Sequence, residues 1–290
     1  MITVFTPTYN RARLLPRLYE SLCRQTYRDF EWVVVDDGST DNTKEVVDGF
    51  VSEQKINLRY FRQSNGGKHR AINRGVREAR GELFCIVDSD DWIPDDSLKN
   101  IAALYQTIKG NKVFAGVSGH RGYSTDRYVG SGQDEEYIDT NSLDIRYKYH
   151  ITGDLNEVFR TCVLREFPFP ELDGERFCSE ALVWNRIASK YLLRFSNKIT
   201  YIADYQPDGL TSNIVRIRME SPIASVTHYQ ELNSCDIPLK QKVKAAINYW
   251  RFKACVPRGK DVPKLPWCWF WCRFLGYLMH LRDKKIIAEV

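Results

Sequence analysis

The sequence predicts an α/β protein with a mostly parallel central sheet, helices on both faces of that sheet, and a helical C-terminal extension. Over roughly the first hundred residues, short apolar runs alternate with segments in which apolar residues recur every three or four positions. The strand-like runs are apolar throughout, which is typical of parallel strands covered on both faces. After about residue 215 the pattern becomes helical and increasingly basic.

Four strands are predicted in the first part of the chain, and a helix follows each. The strands cover 2–5, 30–35, 56–61 and 82–87. The first helix, at 10–23, places leucines on one face. Further helices are predicted at 42–54, in the segment that ends at Gly81, and after Pro94.

The pattern is less regular beyond residue 110. We predict a strand at 113–123 and a polar, tyrosine-rich loop region at 122–150. A strand with a short helix follows, then a helix at 178–191 and a strand with a turn across 199–213. His69 and His120 have no partners at metal-ligand spacing and are interpreted as loop and surface histidines.

The composition indicates a globular protein and excludes several other classes. At 290 residues and 43% hydrophobic content, the chain can bury a large core. The N-terminal segment Met1–Phe5 runs directly into a predicted strand, and it does not show the basic region followed by an apolar region that is typical of a secretory signal. The eight cysteines show neither CxxC pairs nor a Cys/His metal spacing, which favours a reduced, cytoplasmic protein.

The positive charge is concentrated at the C-terminal end. Lys240–Val290 contains 12 Lys and Arg against 3 Asp and Glu, although the net charge of the whole chain is only +5. The basic residues therefore collect in an aromatic segment and not beside the polar clusters of the first part. This distribution argues against a nucleic-acid-binding protein.

An acidic stretch, VDSDDWIPDD at 87–96, follows the fourth predicted strand. Carboxylates beside a buried strand need a partner, and their mutual repulsion raises their pKa values. A divalent cation is such a partner, and it is often shared with substrate phosphates. We interpret Asp88, Asp90 and Asp91 in this way, whereas Asp95 and Asp96 are interpreted as the start of the next helix.

Polar residues also follow the first and second strands, at Thr6–Asn10 and at Asp36 and Asp37. Parallel sheets bind ligands at the carboxyl ends of their strands. The sequence therefore predicts one site, built from these two loops and the acidic stretch.

These motifs resemble the family 2 glycosyltransferases, which are inverting enzymes on the GT-A fold. FTPTYNRARLLPRLYESLCRQTYRDFEWVVVDDGSTDNT is similar to the opening of that family, NGGKHRAINRG to its N-x-G-x-x-x-A-x-N-x-G segment, and VDSDD to its D-x-D motif. The resemblance implies a GT-A catalytic domain at 1–215, with a nucleotide-binding half at 1–110 and an acceptor half at 111–215. Residues 216–290 then form a helical, basic and aromatic extension.

The resemblance implies that the first loop binds the nucleotide. Tyr9 would flank the base, Pro7 and Thr8 would line the pocket, and Asn10 belongs to the same loop. Asp37 would accept a hydrogen bond from a ring N–H of the base, a donor that uracil offers and cytosine does not, so a UDP-sugar is favoured. The alternative role of Tyr9 is ordinary loop packing. The alternative role of Asp36 and Asp37 is helix capping, although Asp41 is the expected cap.

The same resemblance implies a phosphate and metal site. Lys68 would reach the ribose or the phosphates, because two glycines before it let the backbone approach. Asp88 would hold the ribose or complete the metal's shell, Asp90 would bind the cation, and Asp91 is a second candidate ligand. An all-oxygen site suits Mn²⁺ or Mg²⁺.

The family uses an Asp or Glu at the head of a helix as general base, six residues before an Arg. Here Glu180 lies six residues before Arg186, but Ser179 stands where the family more often has Glu. Helix capping is the alternative role for Glu180. Asp154 is the second candidate for the catalytic residue, and Trp184 is interpreted either as part of the acceptor pocket or as core.

The segment Pro266–Leu281 is rich in aromatic residues and too short and interrupted to span a bilayer. Together with Lys264, Arg282, Lys284 and Lys285, it is interpreted as an interfacial helix at 264–285 on the inner face of the plasma membrane. The lipid-linked acceptors of many relatives are consistent with this interpretation. Packing on the catalytic domain or at a homodimer interface is the alternative.

The sequence thus predicts a cytoplasmic, metal-dependent inverting glycosyltransferase of the hexosyltransferase type. It would move a sugar from a nucleotide-sugar donor to a saccharide or lipid-linked saccharide acceptor in surface polysaccharide synthesis. A catalytically inactive nucleotide-sugar-binding protein of the same fold is the alternative. A nucleotidylyltransferase is disfavoured because its glycine-rich N-terminal loop is absent.

Overall fold

The computed structural model describes residues 1–204 and 213–288. The contacts divide the chain into two compact units. Unit 1 comprises Met1–Pro168 and Arg186–Gln206, and unit 2 comprises Phe169–Asn185 and Pro207–Val290. The sequence-based division at residue 215 stays a prediction.

One sheet organises unit 1, and nine strands form it within the described residues. The strands are β1 (Ile2–Thr8), β2 (Phe30–Asp36), β3 (Leu58–Arg62), β4 (Leu83–Ile86), β5 (Phe114–Ser124), β6 (Arg127–Tyr128), β7 (Tyr137–Thr140), β8 (Leu155–Arg160) and β9 (Leu192–Ile202). Their order across the sheet is β3-β2-β1-β4-β8-β5-β9-β7, and β6 pairs with β5.

Helices connect the strands of unit 1. They are α1 (Leu15–Cys23), α2 (Thr43–Glu53), α3 (Lys68–Glu78), α4 (Ser97–Gln106), α5 (Asp144–Tyr147) and α6 (Thr161–Glu166). The next helix, α7 (Glu180–Ala188), begins in unit 2 and ends in unit 1.

The half of the sheet formed by β3, β2, β1 and β4 is parallel, as the continuous apolar runs predicted. All residues of β1, β2 and β4 are buried. Phe5 of β1 stacks on Phe84 of β4 with ring centroids 5.0 Å apart. Helix α3 packs closely on this layer because Gly75 has no side chain: a Cβ there would lie 2.2 Å from the Phe5 ring. Thr8 pairs with Asp36, so the carboxyl ends of β1 and β2 are adjacent.

The other half of the sheet is mixed. Strand β8 runs antiparallel to both β4 and β5, β5 runs parallel to β9, and β7 runs antiparallel to β9. The prediction of a loop region throughout 122–150 was wrong, because β7 and α5 lie within it. In β7, exposed Tyr137 and Asp139 alternate with buried Ile138 and Thr140, which is the pattern of a strand with one solvated face.

Both histidines interpreted as loop or surface residues are buried. His69 lies in α3 and His120 in β5, and they are 2% and 1% exposed. Burial lowers the pKa of His120, because a charged imidazole is disfavoured away from water.

Unit 2 is helical over most of its described length. It contains α8 (Ile214–Glu220), α9 (Pro222–Ser234), α10 (Leu239–Lys253), a short 3-10 helix (Trp267–Trp269) and α11 (Cys272–Ala288). Its core includes Val226, Tyr249, Phe252 and Val262. The turn predicted within 205–212 lies outside the described residues. Across the two described ranges, no helix has the length and apolar character needed to span a membrane.

Buried Glu175 caps the N-terminus of α9. Its two carboxylate oxygens accept the backbone N–H groups of Ile223 at 2.6 Å and Ala224 at 2.8 Å. These donors belong to the first turn of the helix, where N–H groups have no partner within the helix. Burial raises the pKa of Glu175 in spite of these hydrogen bonds.

Candidate active site

Asp37, which follows β2, holds the glycine loop before α3. Its carboxylate accepts hydrogen bonds from the Gln63 side-chain amide at 2.8 Å and from the backbone N–H groups of Gly66 at 3.0 Å and Gly67 at 2.7 Å. Gly67 has φ of +97°, in the left-handed region that favours glycine. The negative charge of Asp37 is thus used to order the loop that carries Lys68.

Asn10 joins the first two loops of the site. Its side-chain oxygen accepts the backbone N–H of Thr40 at 2.7 Å, and its own N–H donates to the Ser39 hydroxyl at 2.9 Å. It adopts φ of +53°, a conformation that asparagine tolerates better than most residues. Asp41 accepts the N–H of Thr43, the first residue of α2, at 3.1 Å, but the N-cap position of this helix is Asn42, so the prediction of Asp41 as the cap was wrong by one residue.

The other members of the first loop differ in exposure. Pro7 and Thr8 end β1 and are buried, and the Thr8 hydroxyl has no hydrogen-bond partner among the described residues. Tyr9 comes next and is 46% exposed. An exposed aromatic ring beside an unsatisfied hydroxyl is an arrangement that suits a ligand more than loop packing.

Lys68 begins α3 and forms an ion pair with Asp88, which follows β4. Its ammonium nitrogen lies 2.6 Å from Asp88 Oδ1. The structure therefore brings together two residues that the sequence separates by 20 positions. The resulting site has a cation at a helix N-terminus, a location that also favours anionic ligands.

Two residues that the sequence analysis missed complete this cluster, Arg121 from β5 and Tyr201 from β9. The Arg121 guanidinium lies over the Tyr201 ring, 4.1 Å from its centroid, and 4.0 Å from both Asp88 and Asp91. The Tyr201 hydroxyl accepts the N–H of Asp88 at 3.0 Å and donates to Asp91 Oδ2 at 2.5 Å. The other oxygen of Asp91 accepts the N–H of Asp204 at 2.7 Å.

The three acidic residues after β4 have different protonation behaviour. Burial disfavours ionisation of Asp88, but the positive charges of Lys68 and Arg121 outweigh it and lower the pKa of Asp88. Burial and the charge of Asp88 raise the pKa of Asp90. The same two causes raise the pKa of Asp91 to about 7, although hydrogen bonds from Tyr201 and Asp204 oppose the shift.

Asp90 and Asp91 therefore occupy different environments. Asp91 is buried and both of its oxygens accept hydrogen bonds within the protein. Asp90 is half-buried and forms no ion pair within the described part of the chain. Over residues 1–204 and 213–288, no group of three His, Cys, Asp or Glu side chains is arranged to hold a metal ion.

The candidates for proton transfer lie in different units. Asp154 is exposed in unit 1, directly before β8, and its carbonyl accepts the backbone N–H of Arg121 at 3.3 Å. Glu180 belongs to unit 2 and is the first residue of α7, the helix-head position that the sequence predicted. Trp184 of the same helix is buried and packs edge-on against Phe169, with ring centroids 5.8 Å apart.

The sequence of residues 3–165, more than half of the chain, matches the family described as Glycosyl transferase family 2. The chain belongs to this family. It is 38% identical over 110 residues to glycosyltransferase GlyG of Streptococcus pneumoniae, a match that covers 38% of this chain and 35% of GlyG. It is 29% identical over 173 residues to the poly(ribitol-phosphate) beta-N-acetylglucosaminyltransferase TarS of Staphylococcus aureus, covering 58% of this chain and 29% of TarS. The chain thus spans about a third of the length of these relatives.

Solved structures of glycosyltransferases share the fold. The structure of S. aureus TarS 1-349 in complex with UDP-GlcNAc matches with a TM-score of 0.61 at 22% identity, covering 88% of this chain and 81% of that one. The mannosyltransferase PcManGT from Pyrobaculum calidifontis, in complex with GDP-Man and Mn²⁺, matches with a TM-score of 0.58 at 19% identity, covering 98% and 87%. The predicted GT-A fold and glycosyltransferase class are therefore confirmed.

Proposed function

We propose that this member of family 2 transfers a sugar from a UDP-sugar to a saccharide or lipid-linked saccharide acceptor in surface polysaccharide synthesis. Transfer proceeds with inversion and requires a divalent cation. The observation that carries the proposal is the set of side chains at the carboxyl ends of β1, β2 and β4 in unit 1. There the Thr8–Asn10 loop, the Asp37-bound glycine loop and the Lys68–Asp88 pair meet, at the edge where parallel sheets bind ligands.

The first two loops support a nucleotide base. Tyr9 offers an exposed aromatic face for stacking, and the buried Thr8 hydroxyl offers a hydrogen bond to a ligand. Asp37 would accept the ring N–H that uracil offers in place of the Gln63 side-chain amide, while the N–H groups of Gly66 and Gly67 continue to bind its carboxylate. TarS in complex with UDP-GlcNAc supports UDP as the nucleotide, and the complex of PcManGT with GDP-Man makes GDP the competing choice.

Lys68, Arg121 and Asp88 support recognition of the ribose and diphosphate. Lys68 and Arg121 bring two positive charges to the half-buried carboxylate of Asp88. When a diphosphate binds, these cations are positioned to interact with its negative charge, which increases as the bond to the sugar C1 breaks. Asp88 is then available either to the ribose hydroxyls or to the metal ion.

The residues after β4 fit a divalent cation. Asp90 is half-buried, has a raised pKa and forms no ion pair with the described residues, so a bound cation favours its ionised form. We assign Asp90 as the residue that would principally hold the cation, with Asp88 as a further carboxylate that could contribute, whereas Asp91 is engaged by two hydrogen bonds within the protein. Two carboxylates plus substrate phosphates suit Mg²⁺ or Mn²⁺, which explains why no three-residue protein cluster is needed. The ion supplies charge neutralisation to the departing diphosphate.

The proposed reaction is a direct transfer that needs only the donor, the acceptor and a proton-accepting side chain. Glu180 takes the proton from an acceptor hydroxyl, whose oxygen forms the new bond to C1 of the donor sugar. The bond between C1 and the diphosphate oxygen breaks at the same time, and its electron pair leaves with UDP. Asp154 is the second candidate for the proton acceptor.

A thermal-melt panel tests the donor and metal assignments. The purified chain is heated with UDP, GDP or CDP, each with and without Mn²⁺. We expect a shift that needs both UDP and Mn²⁺, because a ligand present at 100 times its Kd stabilises the folded state by about 2.7 kcal/mol. Asp90→Ala should lose the metal-dependent part, whereas Asp134→Ala, at an exposed loop position of unit 1, should retain it. A larger shift with GDP than with UDP contradicts the donor assignment.

Turnover separates the enzyme from the alternative of an inactive binding protein, which the Ser179–Glu180 pair leaves open. UDP release is measured with UDP-GlcNAc and with UDP-glucose as probes, with and without saccharide acceptors. Glu180→Gln should bind UDP as tightly as the natural chain does, but it should release no UDP from the UDP-sugar donors. If the natural chain binds UDP but never releases it from either probe, the binding-protein alternative is favoured.

A further inference from the structure

Helix α11 exposes its large apolar residues, and the positions buried along it are small or polar. The side chains or positions buried along it are Cys272, Gly276, His280 and Asp283. The large apolar residues of α11 and of the turn before it are exposed instead. This α11 outer face comprises Trp267, Phe270, Trp271, Phe274, Leu275, Tyr277, Leu278 and Leu281.

Specific contacts with α10 fix this orientation. Asp283 forms a bidentate pair with Arg251 at 2.5 and 2.9 Å, and both residues are buried. A Cβ at position 276 would lie 2.6 Å from the carbonyl oxygen of Ile247, so only glycine permits this close approach of the two helices. Rotating α11 to bury its apolar side would break the ion pair and leave two charges without partners.

The α11 outer face is far more apolar than a solvated helix surface. Trp267 is 81% exposed, Phe274 70% and Trp271 56%. Contiguous patches of this kind mark sites that bind another surface. Phe270, Trp271, Arg273, Phe274 and Tyr277 also line a shallow groove on this face.

Positive charges flank the same face. Residues 264–285 contain five basic residues, and their one acidic residue, Asp283, is buried against Arg251. The basic residues are exposed: Lys264, Arg273, Arg282, Lys284 and Lys285. Aromatic and leucine side chains bordered by lysine and arginine are the composition of a helix that lies in the interface of an anionic bilayer.

We propose that the α11 outer face binds an anionic membrane surface. The aromatic and leucine side chains insert at the level of the lipid headgroups, and the flanking lysines and arginines contact the headgroup charges. A second copy of the chain fits less well, because a symmetric interface would bring the same basic residues of both copies together. This inference concerns unit 2 alone and does not depend on the donor or the reaction.

Vesicle sedimentation tests the proposal on the full chain. The probes are vesicles of phosphatidylcholine alone and vesicles containing a quarter phosphatidylglycerol. We expect binding to the anionic vesicles that weakens as salt is raised, and at least about tenfold weaker binding to the neutral ones. Equal binding to both, or binding to neither, overturns the proposal.

Two pairs of variants test the residues. Phe274→Ala with Leu278→Ala should weaken binding to anionic vesicles at least about tenfold, whereas Leu239→Ala, at a position 70% exposed on α10, should not. Lys284→Gln with Lys285→Gln should also weaken it about tenfold, and Lys240→Gln with Lys244→Gln on α10 should weaken it less. These side chains are exposed, so melting temperatures should stay unchanged and show that the variants fold.

Light scattering identifies the competing occupant. The proposal predicts one mass for the natural chain and for the Phe274→Ala, Leu278→Ala variant in the absence of lipid. A dimer that this variant converts to a monomer, together with no difference in vesicle binding, assigns the face to a second copy and overturns the membrane proposal.

Discussion

The hydroxyl of Tyr201 connects Asp88 and Asp91 in the acidic stretch after β4. It accepts the N–H of Asp88 at 3.0 Å and donates to Asp91 at 2.5 Å, while the ring lies beneath Arg121. Tyr201→Phe keeps the ring and removes both hydrogen bonds. The ring itself is fully buried, so no water replaces the lost hydroxyl without a change in packing.

The expected magnitude follows from the two groups left without a partner. A buried donor or acceptor that loses its hydrogen bond costs about 1–3 kcal/mol, with charged acceptors at the upper end. The two losses together should lower the free energy of unfolding by about 2–4 kcal/mol. For a unit of this size the melting temperature should fall by about 4–16 °C.

Thermal and urea denaturation of the variant measure this loss directly. Tyr149→Phe is the matched control, because Tyr149 is 46% exposed and makes no hydrogen bond through its hydroxyl within the described residues. The control should lie within about 0.5 kcal/mol of the natural chain. If the free energy of unfolding of Tyr201→Phe also lies within about 0.5 kcal/mol of the natural chain, the two hydrogen bonds of the hydroxyl do not stabilise the acidic stretch.

Three further predictions concern buried carboxylates. Burial and the charge of Asp88 raise the pKa of Asp91 from 3.8 to about 7, so the folded state binds a proton that the unfolded state releases, and the free energy of unfolding should fall as pH rises from about 4 to 7. In urea denaturation across this pH range, the free energy of unfolding of Asp91→Asn should not show this fall. The same pH dependence in Asp91→Asn and in the natural chain would refute the assignment. Asp37→Asn turns an amide donor toward the N–H groups of the glycine loop, so the free energy of unfolding measured in urea should fall by about 1–3 kcal/mol. The affinity for UDP measured by calorimetry should also decrease, and an unchanged affinity would contradict the role given to Asp37. Glu175→Gln removes the charge at the N-terminus of α9 and should cost about 0.5–1.5 kcal/mol, whereas Asp173→Asn, at an exposed position nearby, should melt as the natural chain does.

The parallel half of the sheet and its loops could be predicted from the sequence because their signals are local. Strands β1, β2 and β4 are continuous apolar runs, and each is followed at once by the polar residues of the site. Lys68 follows β3 and Asp88 follows β4, and both lie at the edge formed by the carboxyl ends of the parallel strands, although β2 and β1 separate these two strands.

Arg121 and Tyr201 could not be predicted in the same way. They reach the acidic loop because β8 runs antiparallel to β4 and brings β5 and β9 beside it. The hydrogen bond from Tyr201 to Asp91 spans 110 positions, and nothing in the residues around either partner indicates it. Short β7 was missed for a different reason, since its four residues are polar enough to suggest a loop.

The orientation of α11 also lies beyond sequence patterning. The sequence predicted an interfacial helix at 264–285, with packing on the protein as the alternative, and the apolar periodicity alone does not separate these two orientations. The observed orientation depends on Asp283 meeting Arg251 and on Gly276 meeting the backbone of α10. These are pairwise contacts, which a hydrophobic pattern does not encode.

A calorimetric titration of UDP into the natural chain, with and without Mn²⁺, tests the central claim most directly. We expect micromolar or tighter binding with Mn²⁺ and at least about tenfold weaker binding without it, because the cation would be held by Asp90 together with the substrate phosphates. Asp90→Ala should bind UDP equally weakly in both conditions. Binding that is equally tight with and without Mn²⁺, or absent in both, contradicts the metal-assisted UDP site at the carboxyl ends of β1, β2 and β4.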